Sequence, residues 1–213
     1  NLFLVTEYCA HGNLYDPLKS TDGLPALDVK GIALDVASAL EHVHSRGVVH
    51  RDVKSLNVLL DYGPSGLPCA KLCDFGTADT ARRAMPWAVT PEEVAAREAA
   101  EAAKAAEAAE NKGLLGNLLS TVTSSLSAGE QQREAVGEGT PFWMAPEALQ
   151  PKEVLLPQRS INLLAPRMDV YSFGVVLWEL LHRGKIPWFS DFEVTEREDL
   201  VQAVVVDGKT LPI

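Results

Sequence analysis

The sequence is poor in cysteine and in long apolar runs. Its three cysteines, Cys9, Cys69 and Cys73, are an odd number without Cys-x-x-Cys spacing, which predicts free thiols in a reducing compartment. No window of about 18 residues is both apolar and uncharged, so the chain contains no membrane-spanning segment. No basic segment followed by an apolar one opens the chain, so no secretory signal is visible. We therefore expect the protein in the cytoplasm or on the cytoplasmic side of a membrane protein.

Basic residues are also scarce. The chain has 19 Lys and Arg but 29 Asp and Glu, which gives a formal net charge of −10. A chain this acidic is not expected to bind nucleic acid or an anionic membrane surface. A polyanionic small molecule would bind only where local cations or a metal ion oppose the overall field. The length of 213 residues and the hydrophobic content of 46% fit one globular domain or most of a larger one.

Apolar periodicity predicts helices and short strands. A stripe at 3.6-residue spacing predicts a helix over 28–46, with Asp28 as its N-cap and Gly47 just past its end. Residues 169–183 are apolar nearly all round, which predicts a helix buried in the core of a large domain. Short apolar runs predict strands at 2–6, 48–49, 58–60 and 70–73. Turn residues separate the last two runs and predict a hairpin.

The segment 81–138 has a different composition. The run Thr90-Pro91-Glu92-Glu93 is a helix-start signal, with Thr at the N-cap, Pro at N1 and Glu at N3. The following stretch, Val94–Glu110, is almost entirely Ala, Glu, Lys and Arg, which predicts a helix whose shallow apolar face leaves it solvated. A further helical stripe is formed by Leu114, Leu115, Leu118, Leu119, Val122 and Leu126. Docking on the domain or on a partner, local packing and disorder all stay open for it.

Four motifs follow one another along the chain. They are His50-Arg51-Asp52-Val53-Lys54-Ser55-Leu56-Asn57, then Asp74-Phe75-Gly76, then Gly139-Thr140-Pro141-Phe142-Trp143-Met144-Ala145-Pro146-Glu147, and last Asp169-Val170-Tyr171-Ser172-Phe173-Gly174. With these motifs in this order, the chain resembles the C-terminal lobe of a eukaryotic protein kinase, over about residues 1–80 and 137–213. The motif sequences are most similar to those of the tyrosine-kinase-like group of Ser/Thr kinases, because Lys54 and Gly139-Thr140 are the residues typical of Ser/Thr kinases at these motif positions.

The resemblance implies an α+β, protein-kinase-like fold. It would be a mainly α-helical C-lobe with short β-hairpins, and the N-lobe would be absent except for its last strand and the hinge. Residues 1–213 would form a partial kinase domain that runs from the hinge to the substrate-binding helices. The Ala/Glu-rich insertion 81–138 would lie in the activation segment. An excursion of this length is tolerable because the entropy of loop closure grows only with the logarithm of length.

The resemblance also implies an activity, the transfer of the ATP γ-phosphate to Ser/Thr hydroxyls of protein substrates in signalling. The transition state is loose and anionic, so the protein mainly positions groups and neutralises charge. Asp52 would orient the substrate hydroxyl, Lys54 would contact the γ-phosphate, and Thr140 would hydrogen-bond toward both. Asn57 and Asp74 would hold Mg²⁺, a hard cation that prefers carboxylate and amide oxygens.

An ATP pocket is implied near the start of the chain. Thr6 would be a small gatekeeper, and the backbone of Glu7 and Cys9 would meet the adenine. Asn13 falls at the ribose contact, and Leu59 would form the floor beneath the adenine.

Five motif residues are interpreted as architecture. By the resemblance, His50 and Phe75 would stack in a hydrophobic spine, and Gly76 completes the second motif. Asp169 would bind the backbone of the catalytic loop. Glu147 is expected to be buried and normally pairs with an Arg on a later helix, which the chain as given does not contain.

Two residues carry hypotheses about modification. Cys73 would line the ATP pocket, either as a small buried hydrophobe or, with a lowered pKa, as a reactive thiol. Arg51 is a cation beside Asp52 and would pair with a phosphate placed on the activation segment by an upstream kinase. The candidate acceptors are Thr77, Thr80, Thr90, Ser120, Thr121, Thr123, Ser124 and Ser125.

The chain also departs from the family pattern. It has no Gly-rich loop, strand Lys or helix Glu to cover the ATP phosphates, so we expect the chain alone to transfer phosphate poorly and to be weakly stable. The stretch from Asp74 to Glu147 spans 73 residues, longer than usual, and the stretch from Glu147 to Asp169 is interpreted as an altered surface connection. These departures keep a second hypothesis open, a non-catalytic kinase-like interaction module (truncated or a pseudokinase).

Overall fold

The structure, a computed structural model, describes residues 3, 5–19, 28–63, 68–114, 141–150, 152–183 and 185–212. Its α-helices are α1 (Tyr15–Lys19), α2 (Val29–His44), α3 (Ala81–Ala84), α4 (Pro91–Leu114), α5 (Pro146–Leu149), α6 (Gln158–Leu181), α7 (Phe189–Phe192) and α8 (Arg197–Val201). Its strands are β1 (Val48–Val49), β2 (Val58–Tyr62), β3 (Pro68–Leu72), β4 (Asp79–Thr80), β5 (Ala88–Val89) and β6 (Val154–Leu155). Turns of 3₁₀ helix lie at Ser55–Asn57, Phe75–Thr77 and Pro141–Trp143, and a π-helical turn lies at Gln202–Val206. This mainly helical arrangement with short strand pairs is the expected α+β C-lobe.

Helix α2 begins and ends where its sequence predicts. The Asp28 side chain accepts a hydrogen bond from the backbone N–H of Gly31 at 2.9 Å and so caps the first turn. A Cβ at Gly31 would lie 2.5 Å from this carboxylate, which explains a glycine inside the helix. Past the other end, Gly47 has φ +73°, a left-handed conformation that terminates helices. The apolar stripe Ile32, Val36 and Leu40 is buried.

The predicted hairpin is also confirmed. Strands β2 and β3 pair antiparallel with Val58 opposite Leu72, and β1 pairs antiparallel with β4. The chain before α1 runs along the other edge of β2, because Leu14 N donates to Val58 O at 2.7 Å and Leu60 N donates to Gly12 O at 2.8 Å. The segment that follows the predicted hinge is therefore attached to the hairpin.

Helix α6 begins eleven residues earlier than predicted, at Gln158. The predicted surface connection between Glu147 and Asp169 holds for the largely exposed residues 152–159 but not for the residues from Ile161 onward. Ile161 and Ala165 are fully buried, so one face of the first three turns packs in the core, while Leu163 on another face is exposed. Pro166 lies inside the helix, where a proline removes one backbone hydrogen bond and its ring crowds the carbonyl four residues earlier, and the burial of Ile161 and Ala165 offsets this cost.

The strand expected at residues 2–6 is not formed by its described residues, 3, 5 and 6. Phe3 and Val5 are largely exposed instead. A strand needs a neighbour to take its backbone hydrogen bonds, and no described segment pairs with this one. Apolar character alone therefore misled the prediction.

The first ten residues of the segment 81–138 pack in the core of the lobe. Ala84, Met85 and Ala88 are buried against α5 and α6. Strand β5 pairs parallel with β6, which lies beyond the third motif in sequence. The part of the segment that leaves the lobe therefore starts near Pro91. The domain assignment of 81–138 as an insertion in the activation segment stays a prediction.

Helix α4 starts with the predicted capping box. Glu93 N donates to Thr90 Oγ1 at 3.2 Å, and Thr90 N donates to Glu93 Oε2 at 2.9 Å. Arg82 on α3 binds the same carboxylate at 2.6 Å, so the helix start is joined to the lobe. Side chains 95–106 are exposed, as expected for a solvated Ala/Glu-rich helix. The apolar stripe of residues 114–126 lies almost wholly outside the described residues, and no side chain of it is described.

Buried apolar side chains form two clusters, and α6 contributes to both. One cluster joins α2, the β2–β3 hairpin and the second half of α6, while the other joins α3, α5, the first half of α6 and the C-terminal helices. Val49 belongs to one cluster and Val53 to the other, so the loop that follows β1 is anchored in the core on both sides. Within the described ranges, no helix is long and apolar enough to cross a membrane.

Candidate active site

The loop of the first motif is held from below by α6. Asp169, which is buried, accepts hydrogen bonds from His50 N and Arg51 N, both at 2.8 Å. His44 Nε2 on α2 lies 2.7 Å from the same carboxylate. Three donors thus compensate the desolvation of Asp169, and two of them are the loop backbone itself. This is the contact that the resemblance implied for Asp169, and it accompanies a left-handed backbone at Arg51, with φ 70°.

Asp52 receives two donors from its own loop. Lys54 Nζ donates to Asp52 Oδ2 at 2.6 Å, and Asn57 Nδ2 donates to the same oxygen at 3.0 Å. Asn57 Nδ2 also donates to the Asp52 backbone carbonyl at 2.8 Å. All three side chains are at least half-buried, so these charge-assisted hydrogen bonds are screened less than surface pairs. The carboxylate of Asp52 is therefore held in one orientation.

Both ring nitrogens of His50 are hydrogen-bonded to the backbone. Its Nδ1 accepts from Asp52 N at 3.3 Å, which leaves Nε2 to donate to the Cys73 carbonyl at 2.9 Å. The ring is fully buried and contacts the Phe75 ring at a centroid distance of 4.7 Å. Both ring nitrogens are thus occupied, and the side chain joins the first motif to the second as the resemblance implied. A role for His50 as catalytic base does not fit this geometry.

Asp74 adopts a left-handed backbone conformation, with φ 62° and ψ 73°. Its carboxylate accepts from Gly76 N at 3.3 Å and is otherwise turned to solvent. A Cβ at position 76 would lie 3.1 Å from Asp74 Oδ1, so glycine suits the close turn. Thr77 Oγ1 donates to His50 O at 3.0 Å and attaches this turn to the first motif.

The hairpin brings Asn57 and Asp74 together. Asn57 immediately precedes β2 and Asp74 lies just beyond β3, and Cys73 N donates to Asn57 O at 2.9 Å. Since Asn57 uses its Nδ2 on Asp52, its Oδ1 is the atom that a cation would meet. Amide and carboxylate oxygens fit Mg²⁺, which takes most of its other ligands from water and substrate. No group of three or more His, Cys, Asp or Glu side chains that could hold a metal occurs in the part of the chain that the structure describes.

The residues assigned to the ATP pocket lie around the hinge and the hairpin, and one of them, Asn13, is hydrogen-bonded to another side chain. Asn13 pairs with Leu59 as an isolated bridge, which brings the ribose and adenine-floor positions together. The Asn13 side chain, however, is bound to Asp16 twice. Asn13 Nδ2 donates to Asp16 Oδ2 at 2.9 Å, and Asp16 N donates to Asn13 Oδ1 at 3.0 Å. Asp16 is exposed and places a carboxylate beside the expected ribose contact. Its spacing three residues after Asn13 is the only signal that could have indicated it.

The hinge itself is open. Thr6 and Glu7 are exposed, and the Glu7 carboxylate accepts from Lys71 Nζ at 2.6 Å. Burial raises the pKa of the Cys9 thiol, and it also raises the pKa of Cys73, where the Asp74 carboxylate adds to the effect. Both thiols are free and protonated at neutral pH, which favours the small-hydrophobe interpretation of Cys73 over a reactive thiol.

Glu147 does not have the environment expected of it. Its side chain is exposed, whereas the resemblance implied a buried carboxylate. No cation of the described residues lies within ion-pair distance, and water solvates the group instead. Thr140, assigned to hydrogen-bond toward Asp52 and Lys54, lies outside the described residues.

One buried acid escaped the sequence analysis. Glu179 on α6 is fully buried and accepts from Ser55 Oγ at 3.0 Å and from Trp143 Nε1 at 2.8 Å. Burial raises its pKa to about 7. Glu179 is the only charged residue of the stretch 170–181, and this was the available signal, because such a group stays buried only when it is hydrogen-bonded.

Two family models match most of the chain. The model described as "Protein kinase domain" matches residues 1–99, and the model described as "Protein tyrosine and serine/threonine kinase" matches residues 120–212. Together they leave the middle of the Ala/Glu-rich segment unmatched.

Curated proteins with similar sequences carry kinase names. The chain is 33% identical over 193 residues to serine/threonine-protein kinase CTR1 of Arabidopsis thaliana, which covers 88% of the chain and 16% of that relative. It is 30% identical over 203 residues to serine/threonine/tyrosine-protein kinase HT1 of the same plant, which covers 92% of the chain and 36% of the relative. Human mitogen-activated protein kinase kinase kinase 13 is 27% identical over 185 residues, with 87% of the chain and 13% of the relative covered. The chain thus spans roughly a third or less of each of these relatives.

Proposed function

The chain belongs to the protein kinase family, close to the tyrosine-kinase-like group of Ser/Thr kinases, and from this we propose that the protein containing it transfers the γ-phosphate of ATP to Ser/Thr hydroxyls of protein substrates in signalling. The observation that carries the proposal is the orientation of Asp52. Its Oδ2 receives Lys54 and Asn57, in a loop whose backbone is bound to Asp169. The activity is proposed for the whole protein, since the chain covers only part of each relative.

Asp52 and Lys54 divide the work of the reaction. An oriented carboxylate at Asp52 aligns the substrate hydroxyl and accepts its proton as the new P–O bond forms. Lys54 is close enough to Asp52 to neutralise charge that develops on the transferred phosphoryl group. Thr140 is proposed to hydrogen-bond toward this pair. His50, whose two ring nitrogens are both hydrogen-bonded, holds Asp52 N and takes no part in proton transfer.

ATP and Mg²⁺ are the proposed cofactors. Asn57 Oδ1 and the Asp74 carboxylate would hold the cation, and the cation supplies neutralisation of phosphate charge when bound. Thr6, the backbone of Glu7 and Cys9, Leu59 and Cys73 are proposed to line the adenine site, and Asn13 with Asp16 the ribose site. The exposed hinge supports this proposal because positions 5–9 lie in no helix or strand of the described structure, although the Cys9 carbonyl accepts a hydrogen bond from Gly12 N at 3.4 Å.

Regulation and location follow from the same resemblance. An upstream kinase is proposed to phosphorylate the activation segment and so to provide a phosphate for Arg51. The free cysteines are consistent with a cytoplasmic protein or with the cytoplasmic side of a membrane protein. The alternative of a non-catalytic module is not favoured, because Asp52, Lys54, Asn57 and Asp74 are all present and the relatives are named as kinases.

The test is Asp52→Asn in the full-length protein. Because the amide cannot accept the hydroxyl proton, we expect transfer of labelled phosphate to a Ser/Thr peptide to fall by at least about a hundredfold. Asp199→Asn, an exposed acid on α8, is the matched control and should keep wild-type activity. Activity that survives within about tenfold in Asp52→Asn, a barrier change of about 1.4 kcal/mol, would show that Asp52 is not catalytic. A Mg·ATP-dependent thermal shift that Asp74→Ala abolishes would separately locate the cation.

A further inference from the structure

Glu179 connects two motifs that are far apart in sequence. Each of its oxygens accepts one hydrogen bond, Oε1 from Ser55 Oγ and Oε2 from Trp143 Nε1. Ser55 belongs to the first motif, and Trp143 belongs to the third, which follows the Ala/Glu-rich segment. Both partners are buried, so water does not compete for these hydrogen bonds. A single side chain on α6 therefore joins the catalytic loop to the end of the activation segment.

The spacing of Asp169 and Glu179 matches the loop that they bind. Ten residues of helix rise about 15 Å. An extended backbone from His50 to Ser55 spans at most about 17 Å. Asp169 binds the start of this stretch and Glu179 binds its end. Helix α6 thus supports the loop at two points, and Asp52 and Lys54 lie between them.

The second point of support acts on the donors of Asp52. Ser55 begins the 3₁₀ turn Ser55–Asn57, which is closed by Asn57 N donating to Lys54 O at 2.9 Å. Among the described residues, Lys54 and Asn57 donate their side-chain hydrogen bonds to Asp52. A displacement of Ser55 therefore moves both donors together.

We propose that Glu179 is a positioning residue for phosphoryl transfer, which through Ser55 holds Lys54 and Asn57 on Asp52 and couples this loop to Trp143. The proposal rests on the proposed kinase function. As a carboxylate, Glu179 accepts from both partners at once. Once Glu179 is protonated, its O–H must donate to Ser55 Oγ, because Trp143 Nε1 can only donate. This hydrogen bond is then reversed, and the Ser55 hydroxyl proton loses its acceptor. Catalysis is therefore expected to weaken when Glu179 is protonated.

The charges around Glu179 favour a change of state near neutral pH. Burial raises its pKa to about 7, against the opposing effects of the hydrogen bonds from Trp143 and Ser55 and of the Lys19 charge on α1. The turns Ser55–Asn57 and Pro141–Trp143 contain no other titratable side chain.

The remaining elements that pack on α6 add no other titratable group that faces Glu179 in the described structure. His44 and Asp35 on α2 and Arg82 on α3 each bind a partner elsewhere. The other titratable side chains of α2 are exposed, and they are Lys30, Glu41 and His42.

The experiment compares Glu179→Gln with wild type in the full-length protein. Glutamine keeps the shape and presents an NH₂ donor to Ser55 and a carbonyl to Trp143, so it copies the protonated acid. We expect equal kcat values at about pH 6 and a kcat roughly fivefold lower in the variant at about pH 8, the effect of one hydrogen bond. The ionisation of ATP affects both proteins alike, so it cancels in the ratio of their kcat values at each pH. Ser55→Ala should show the same loss at high pH, and Glu198→Gln, an exposed acid on α8, should keep the wild-type profile.

An activity-independent measurement separates this proposal from the proposed function. The indole N–H resonance of Trp143, identified by its loss in Trp143→Phe, should titrate near pH 7 in wild type and not in Glu179→Gln. An active protein whose kcat ratio does not change with pH, or whose Trp143 indole does not titrate, would overturn the positioning role alone. If the indole titrates but wild type transfers no phosphate, the kinase function is wrong and the positioning role fails with it.

Discussion

At the scale of single residues, the two buried acids of α6 differ in the hydrogen-bond donors that they meet. Asp169 has three donors, two of which are backbone N–H groups that the loop directs to it. Glu179 has two donors, and desolvation dominates, so its pKa rises to about 7. For Glu179, two neutral donors do not offset the desolvation of the carboxylate.

The raised pKa of Glu179 predicts a pH dependence of stability. The native state binds the proton more tightly than an unfolded chain, in which the pKa is near 4.5. The stability that this group contributes is therefore complete below about pH 4.5 and is lost as pH rises to about 7. The loss is on the order of 3 kcal/mol. Urea unfolding of wild type and Glu179→Gln at pH 5.5 and 8 measures it.

The comparison of the two proteins isolates this one group. Glutamine does not titrate, so the stability of Glu179→Gln relative to wild type should rise between the two pH values. Other titrating groups affect both proteins alike. An unchanged difference in the free energy of unfolding would show that Glu179 keeps an ordinary pKa in the fold.

The sequence indicated most of the proposed catalytic residues but not Glu179. Asp52, Lys54, Asn57 and Asp74 stand in short motifs with fixed spacing, and a hairpin of local contacts is enough to bring Asn57 beside Asp74. Glu179 acts through partners that lie 124 and 36 residues away in the chain, and no local pattern announces such contacts.

At the scale of elements, the start of α4 depends on a local side-chain signal. Thr90 and Glu93 form the predicted capping box, and the backbone N–H of Thr90 and then Arg82 hold the pKa of Glu93 below its usual value. We expect Thr90→Ala to lower the free energy of unfolding by about 1 kcal/mol and to reduce helicity by circular dichroism. Thr80→Ala is the control, because Thr80 precedes α3 without a side-chain capping bond. Equal losses in the two variants would contradict a capping role for Thr90.

Helix α2 depends instead on its buried face. Leu40 lies in the core, whereas Leu34 on the same helix is 57% exposed. We expect Leu40→Ala to destabilise by about 2–5 kcal/mol and Leu34→Ala by less than about 0.5 kcal/mol. Denaturant unfolding of both variants measures the difference. Both variants replace Leu by Ala in the same helix, so the change in helix propensity is the same for both. Similar losses of stability would therefore mean that the periodicity assigns the wrong face of α2 to the core.

Elements were predictable where the signal was local. The caps of α2 and α4 and the turn of the β2–β3 hairpin lie within a few residues of the elements that they define. The start of α6 was missed because its first turns are stabilised by packing that overrides Pro166. The predicted strand at 2–6 does not form at its described residues, 3, 5 and 6, because strand formation requires a partner from elsewhere.

At the scale of the whole molecule, the chain leaves a row of apolar side chains at its start in water. Phe3, Val5 and Tyr8 are 80%, 90% and 84% exposed. Contiguous exposed apolar surface favours association. We expect the isolated 213-residue chain to self-associate as its concentration rises in sedimentation velocity, and the triple change of these residues to Ser to reduce it. A compact monomer at every concentration would contradict this expectation.

The sequence by itself determined the family, the proposed catalytic set and the locally encoded elements, because motifs, caps and turns act over a few residues. Only the tertiary structure decided that α6 begins at Gln158, that residues 81–90 belong to the core, that Glu147 is solvated and that Asn13 is engaged by Asp16. It also decided that Glu179 joins Ser55 to Trp143. Each of these depends on which distant groups share a buried space, and the free energy of that arrangement comes from burial and hydrogen bonding that no single segment contains.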